Sequence, residues 1–264
     1  MRAVVVGAVE STRVALSALA ANPRWSVLAL VTLPSTMAGR HSDFVDLSPD
    51  AAAVGAQVLF APNSNAPDVV EKVRALVAVL AFFLGLLPVC PPPFLDPIDD
   101  EVDHGPILAQ KFLHVAPDET ATTLYAGHMD ALGALLEQSL DALADGRAPK
   151  IVQDERFATY AARRTDRDGC IDWTGDAATV QRLIRAVTRP YPGAYTHLAG
   201  ERLTIWSAEL WPDASRHAAM PGQIVEKRGE RLAIACGEGA ILATDWTIAK
   251  DEVRVHAVLG KQEP

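Results

Sequence analysis

Apolar runs alternate with amphipathic stretches through the first third of the chain. The segments between the apolar runs have the spacing of helices, including one that ends near Gly55. Strands that are apolar on both faces and alternate with helices are typical of a parallel sheet. The pattern therefore predicts an α/β domain whose first four buried strands are AVVVG, SVLALVTL, QVLFA and VLAFFL.

The apolar pattern resumes after a stretch rich in prolines and acids. The run ILAQKFLHVA (Ile107–Ala116) predicts a further strand of the same sheet. A long amphipathic helix is expected to start near Asp118 and to end at Gly146. Polar connectors follow, so we expect a domain boundary near residue 150, with one domain at 1–150 and another at 151–264.

Beyond the connectors the pattern changes to one helix followed by short, turn-punctuated strands. The helix is AATVQRLIRAVTR, and the last strand candidate alternates cleanly, with Val253, Val255 and Ala257 on one face. This arrangement predicts a small β-barrel or sandwich rather than a second parallel sheet. The strand candidates are RLTIWSAEL, GQIVEK, RLAIAC, AILATDWTIA and EVRVHAVL.

Charge and composition exclude several classes of protein. The 264 residues are 49% hydrophobic, which is enough for a globular core, and the formal net charge is −9. The acidic excess lies mostly in residues 1–150, which hold nine Lys and Arg against 17 Asp and Glu. Neither half is basic, which disfavours nucleic-acid partners, and no apolar run is long enough to cross a membrane. Three widely spaced cysteines indicate no disulfide framework and no metal site, so a reducing cytoplasm is expected.

Candidate chemistry is sparse in the motifs. Gly7 follows the first strand without the further glycines of a dinucleotide fingerprint, which favours an ordinary strand-to-helix turn over a nicotinamide site. An acidic cluster of Asp99, Asp100, Glu101 and Asp103 precedes the strand predicted at Ile107. Its spacing alone favours a solvated loop. The alternative is that one of these acids has a raised pKa and works as a general acid or base.

A resemblance to a known family changes that balance. The segment VDHGPILAQKFLHVAPDETATTLY resembles the 10-formyltetrahydrofolate-dependent formyltransferases, in which an aspartate precedes a glycine and a strand. Further matches follow in the family's order and cover nearly the whole chain. They are RHSDFVDLSPDAAAVGAQVLFAPNSNAPDVVEKV, FFLGLLPVCPPPFLD, the linker and barrel start around RPYPGAYTHLAGERLTIWSAEL, and the later strands PGQIV and RLAIACGEGAILAT.

The resemblance implies a fold and a set of site residues. The fold would be a Rossmann-like parallel-sheet domain of the formyltransferase type, internally shortened, followed by an OB-like β-barrel domain. Asp103 matches the family's catalytic aspartate. Gly85, Leu86, Leu87 and Val102 are the expected contacts to 10-formyltetrahydrofolate, the formyl donor. No metal ligand is implied.

One block of the family's sequence has no match in this chain. In the family, the folate strand is followed by a helix, a strand with an Asn-x-His motif, a Ser-Leu-Leu-Pro turn, a further helix and a strand. Here FLDP is followed at once by IDDEVDHGPIL. Two of the three catalytic partners are therefore without a matching position, and the sheet strands that the block carries are missing too.

The resulting function hypothesis is formyl transfer to a small amine, in an impaired form. N-hydroxyornithine is slightly favoured as the amine, because the first 150 residues have few cations for the diphosphate of an amino-sugar nucleotide, which is the alternative substrate. A second alternative is an inactive relic, or a shortened chain, that keeps only ligand or partner binding. The sequence does not indicate an oligomeric state.

Overall fold

The chain was analysed as a computed structural model, which describes residues 1–64, 66–76, 80–83, 105–162, 164–249 and 252–260. It divides into two compact units. The first comprises Met1–His114 with Ala126–Tyr160, and the second comprises Val115–Tyr125 with Ala161–Pro264. The domain boundary near residue 150 stays a prediction.

The first unit contains a parallel sheet of four strands in the order β3-β2-β1-β4. All four predicted strands and the predicted helices are found, and the apolar runs of β1 and β2 are buried by their neighbours. The strands are β1 (Arg2–Val6), β2 (Ser26–Thr32), β3 (Gln57–Phe60) and β4 (Leu80–Phe83). The helices are α1 (Glu10–Ala21), α2 (Ser48–Ala53), α3 (Pro67–Ala75) and α4 (Ala121–Ala144).

Alternating side chains of the strands build a separate core on each face of this sheet. Val5 and Leu30 pack with α1, α2 and α4 on one face. Val6 and Val31 pack with α3 on the other face. These strands are buried on both faces, which explains why their sequences are continuous apolar runs rather than alternating ones.

The strand predicted at Ile107–Ala116 is wrong. The segment forms only an isolated antiparallel bridge between Ile107 and Ile151, and Phe112 is 98% exposed. An extended segment becomes a strand only when a neighbour satisfies its backbone groups. Among the described residues no strand of the parallel sheet offers that pairing, which agrees with the family block that has no match in the sequence.

The second unit contains α5 (Ala177–Val187) and a five-stranded antiparallel sheet in the order β5-β6-β9-β8-β7. The strands are β5 (Ala194–Leu198), β6 (Glu201–Leu210), β7 (Ile224–Arg228), β8 (Arg231–Ala235) and β9 (Ala240–Ile248). The apolar stripe of α5, including Val180 and Ile184, packs on Leu203, Ile205 and Ile234 of the sheet. The OB-like barrel that the resemblance implies is not closed within the described residues, since the outer strands β5 and β7 do not pair with one another there.

The final predicted strand, around Val253–Ala257, is also wrong. The chain turns there, and His256 has a φ of 73° in the left-handed region, which a strand does not tolerate. The backbone that follows links the two outer strands instead. Ile224 N donates to Ala257 O at the start of β7, and Gly260 N donates to His197 O on β5, both at 2.9 Å.

Candidate functional site

The parallel sheet changes the direction of its connections between β1 and β4. The chain runs outward from β1 to β2 and β3, and then returns to place β4 on the other side of β1. Val6 and Phe83, the last residues of β1 and β4, are register partners. In open α/β sheets the crevice at the carboxyl ends of two such strands is where ligands bind. The candidate site is therefore the carboxyl edge of this sheet.

The turn after β1 is held by backbone hydrogen bonds to β2 and to the segment around Phe44 and Val45. Gly7 N donates to Val31 O at 3.0 Å, which fixes the turn against β2. Val45 N donates to Ala8 O at 2.9 Å, and an isolated bridge joins Val9 to Phe44. These contacts position the amino end of α1 beside the crevice.

The charges near α1 compensate one another. Arg13 Nη1 lies 2.6 Å from Glu10 Oε2, and its Nε lies 3.3 Å from Asp50 Oδ1. A guanidinium shared by two carboxylates offers little attraction to a further anion. Arg40, by contrast, donates through Nη1 to the neutral carbonyl of Pro62 at 2.8 Å, so that contact leaves its charge uncompensated.

The predicted site residues lie outside the described residues, so their geometry is not tested. These are Asp103, Gly85, Leu86, Leu87 and Val102, together with the acids Asp99, Asp100 and Glu101. In the sequence, Gly85 comes two residues after the end of β4, and Asp103 comes two residues before Gly105. Gly105 O accepts a hydrogen bond of 2.8 Å from Gln153 Nε2.

Two buried hydroxyl groups at the same edge were missed by the sequence reasoning. Thr32 ends β2 and is 4% exposed, and Ser64 follows β3 by four residues and is 8% exposed. Neither hydroxyl oxygen has a hydrogen-bond partner in the part of the chain that the structure describes. A polar residue at the end of the apolar run LALVT was the available signal for Thr32. No comparable signal marked Ser64.

Among the described residues, no group of three or more His, Cys, Asp and Glu side chains is arranged to hold a metal ion. Within the same ranges, no helix combines the length and apolar character needed to cross a bilayer.

In the second unit the main cluster of ionisable groups surrounds Tyr195. Arg202 stacks over its ring at 3.7 Å from the centroid and makes two bonds to Asp166, of 2.7 Å and 2.9 Å. Burial raises the pKa of Tyr195, and the Arg202 guanidinium lowers the pKa of Asp166. Since each charge here is already paired, the cluster stabilises the fold and presents no open site.

Comparison with known proteins finds one family match, in the C-terminal region, and several structures of similar fold. Residues 164–262 match the model of the formyl transferase C-terminal domain. HypX from Aquifex aeolicus, solved in complex with tetrahydrofolic acid, is similar at a TM-score of 0.59 and 15% identity, over 94% of this chain and 44% of that chain. This chain thus spans less than half the length of HypX.

Two sugar-related structures match over nearly their full length. WlaRD, a sugar 3N-formyl transferase solved in the presence of dTDP and 5-N-formyl-THF, has a TM-score of 0.60 at 11% identity, over 92% of this chain and 96% of that one. The N-formyltransferase from Helicobacter canadensis, in complex with folinic acid and dTDP-3-aminofucose, has a TM-score of 0.58 at 14% identity, over 91% and 98%. At these identities the structures establish a shared fold. The family match itself is to the formyl transferase C-terminal domain, at residues 164–262.

Proposed function

We propose that this chain moves a formyl group from 10-formyltetrahydrofolate to a small amine at the carboxyl edge of its parallel sheet. The observation that carries the proposal is the reversal of strand order between β1 and β4. The expected folate contacts Gly85, Leu86 and Leu87 follow β4 directly in the sequence. The proposed donor site is thus the crevice at which this fold class binds its ligands.

Asp103 is proposed as the base that deprotonates the attacking ammonium. Its acidic neighbours in the sequence, Asp99, Asp100 and Glu101, disfavour a further negative charge and would raise its pKa. A raised pKa suits a base that takes a proton near neutral pH. Val102, next to it in the sequence, is proposed as a further folate contact.

The proposed transfer is slow because the electrophile side of the reaction lacks its usual donors. Attack of the amine on the formyl carbon creates a tetrahedral oxyanion, and loss of one donor to such an oxygen costs on the order of 10²–10³ in rate. The segment Ile107–Ala116, left without strand partners, supports the view that the family's Asn and His block is missing.

The proposed amine is N-hydroxyornithine, and an amino-sugar nucleotide is the second candidate. Arg13, the cation nearest the start of α1, is already shared by Glu10 and Asp50, which favours the amine without a diphosphate. The likeness to two structures whose described ligands include dTDP or a dTDP-amino sugar favours the nucleotide. In its described contact, Arg40 donates to a neutral carbonyl, so its charge is available to bind the diphosphate of an amino-sugar nucleotide.

Titration calorimetry, combined with detection of formylated product by mass spectrometry, separates this proposal from a relic that keeps only ligand or partner binding. The chain is expected to bind 5-formyltetrahydrofolate, a stable analogue of the donor, in a saturable one-to-one manner. A chain that binds the folate and formylates neither amine is an inactive relic. A chain that binds no folate is not a folate-dependent formyltransferase.

The proposed location of the protein is the cytoplasm. The described cysteines are both unpaired, Cys170 exposed and Cys236 buried, which is consistent with the proposed cytoplasmic location.

We also propose that residues 151–264 form the C-terminal domain with its connecting linker and helix. The expected partners are small molecules, and neither a nucleic acid nor a membrane is among them.

A further inference from the structure

The two unpartnered hydroxyls at the carboxyl edge differ from buried hydroxyls elsewhere in the chain. Thr196, which is 1% exposed, accepts a 3.0 Å hydrogen bond from Trp173 Nε1. Thr188 Oγ1 donates to Trp206 O at 2.9 Å. Native proteins pair nearly all buried polar groups, and exceptions usually mark a bound ligand, a water or a strained site. The unpaired state of Thr32 and Ser64 therefore requires an explanation.

The two hydroxyls lie at the carboxyl ends of neighbouring strands, Thr32 on β2 and Ser64 in the loop after β3. Thr32 is the register partner of Phe60, and Thr32 O accepts from Ala61 N at 2.9 Å, so this carbonyl is already satisfied. Ser64 lies three residues further along the same loop. The two side-chain hydroxyls are buried and lack a hydrogen-bond partner among the described residues.

Their place in the strand order points to the acceptor side of the reaction. The proposed folate site follows β4, whereas β2 stands two strands away with β1 between them. Two strand spacings amount to about 10 Å, which is the room that a small amine needs beside the formyl donor. A hydroxyl carries no charge, donates one hydrogen bond and accepts up to two, so another hydroxyl is a suitable partner for it.

We propose that Thr32 and Ser64 recognise a hydroxyl group adjacent to the reactive nitrogen of the acceptor amine. This inference rests on the proposed function. Both candidate acceptors share the feature, as an N-hydroxyl in N-hydroxyornithine and as ring hydroxyls in an amino sugar. A site built to bond a substrate hydroxyl rejects the analogue that lacks it, because the buried groups of the protein are then left unpaired.

Titration calorimetry with two matched pairs of amines tests the inference. N-hydroxyornithine is compared with ornithine, and 3-amino-3-deoxyglucose with 3-amino-2,3,4-trideoxyglucose, which lacks only the hydroxyls adjacent to the nitrogen, each with saturating 5-formyltetrahydrofolate. We expect the parent chain to bind the hydroxylated member of one pair at least tenfold more tightly, and that pair identifies the acceptor. Thr32→Val and Ser64→Ala should each reduce this affinity by about three- to tenfold, the range of one hydrogen bond, and leave binding of the other member unchanged.

Thr196→Val is the matched control, because it removes a buried hydroxyl that already has a partner. It should lower the melting temperature without changing amine affinity, whereas Thr32→Val and Ser64→Ala should not lower the melting temperature. The inference is overturned if the parent binds neither hydroxylated amine preferentially, or if both edge variants keep the parental affinity, which is the result expected for hydroxyls that hold only a buried water. Folate binding is titrated separately, so failure of the proposed function is seen there.

Discussion

Arg24 and Asp145 form an ion pair that ties the start of β2 to the end of α4. Asp141, one turn earlier on α4, lies 3.7 Å from the same guanidinium and accepts from Asn22 Nδ2 at 3.0 Å. Trp25 Nε1 also donates to Leu140 O at 3.1 Å. The end of the long helix is thus bonded to the turn before β2 at several points.

The ion pair predicts a loss of stability in acid. The hydrogen bonds from Arg24 and Arg147 lower the pKa of Asp145 from its usual value of 3.8 to about 2. A carboxylate with a lowered pKa in the folded state stabilises the protein above the pKa of the unfolded chain, and this contribution is lost as the pH falls from about 4 to 2. Asp145→Asn should therefore weaken the pH dependence of urea unfolding between pH 5 and pH 2.

Glu137→Gln, on an exposed position of the same helix, is the control for that experiment. It should leave the pH dependence close to that of the parent chain. An unchanged pH dependence in Asp145→Asn would show that the pair does not couple to folding.

Because α4 packs on the sheet, we expect truncation of one of its buried leucines to reduce the free energy of unfolding strongly. Leu140 is fully buried among Leu16, Leu19 and Trp25. Leu140→Ala should cost about 2–5 kcal/mol of unfolding free energy, since a cavity is left that the neighbours fill only in part. Leu143→Ala, at a partly buried position of the same helix, should cost less. Equal losses, measured by urea unfolding, would contradict the described burial.

The two described cysteines should differ in reactivity. Burial raises the pKa of Cys236 to about 11, so almost none of it is thiolate at neutral pH. Cys170 is exposed. Iodoacetamide at pH 8, followed by peptide mapping, should label Cys170 and spare Cys236 until the protein is unfolded in guanidinium. Labelling of Cys236 at the rate of Cys170 in the native protein would contradict its place in the core.

The second unit should fold without the first, and the stability of an isolated fragment should depend on where the fragment begins. Arg185 Nη1 donates to Glu119 O at 2.6 Å, and Thr122 Oγ1 donates to Arg189 O at 2.5 Å. A fragment of 151–264 lacks the residues that make these bonds, whereas a fragment of 115–264 keeps them. Circular dichroism should show both to be folded, with the higher melting temperature in the longer one. An unfolded 115–264 fragment would refute the division into units.

Sequence reasoning succeeded where local pattern and long-range packing agree. The runs around Val5 and Leu30 are buried on both faces of the sheet, so their apolar character alone identified them. Ile107–Ala116 has the same character, but a strand also depends on a partner, which the pattern of one segment does not reveal. β5 (Ala194–Leu198) was overlooked because it is short and follows a proline-rich turn.

The residues of the candidate site were harder to identify from the sequence. The resemblance supplied Asp103 and the folate contacts, which lie outside the described residues, so they stay predictions. Thr32 and Ser64 carry no motif, and their interest comes from burial without a partner, which only coordinates reveal.

The central proposal is that the chain transfers a formyl group from a folate donor, with impaired chemistry. The most direct measurement is transfer from 10-formyltetrahydrofolate to N-hydroxyornithine, monitored by mass spectrometry under single-turnover conditions, beside a relative that keeps the Asn and His segment. Our account predicts formylated product at a rate on the order of 10²–10³ below that of the relative, abolished in Asp103→Asn. Transfer at the rate of the intact relative, or residual transfer that survives in Asp103→Asn, would contradict it.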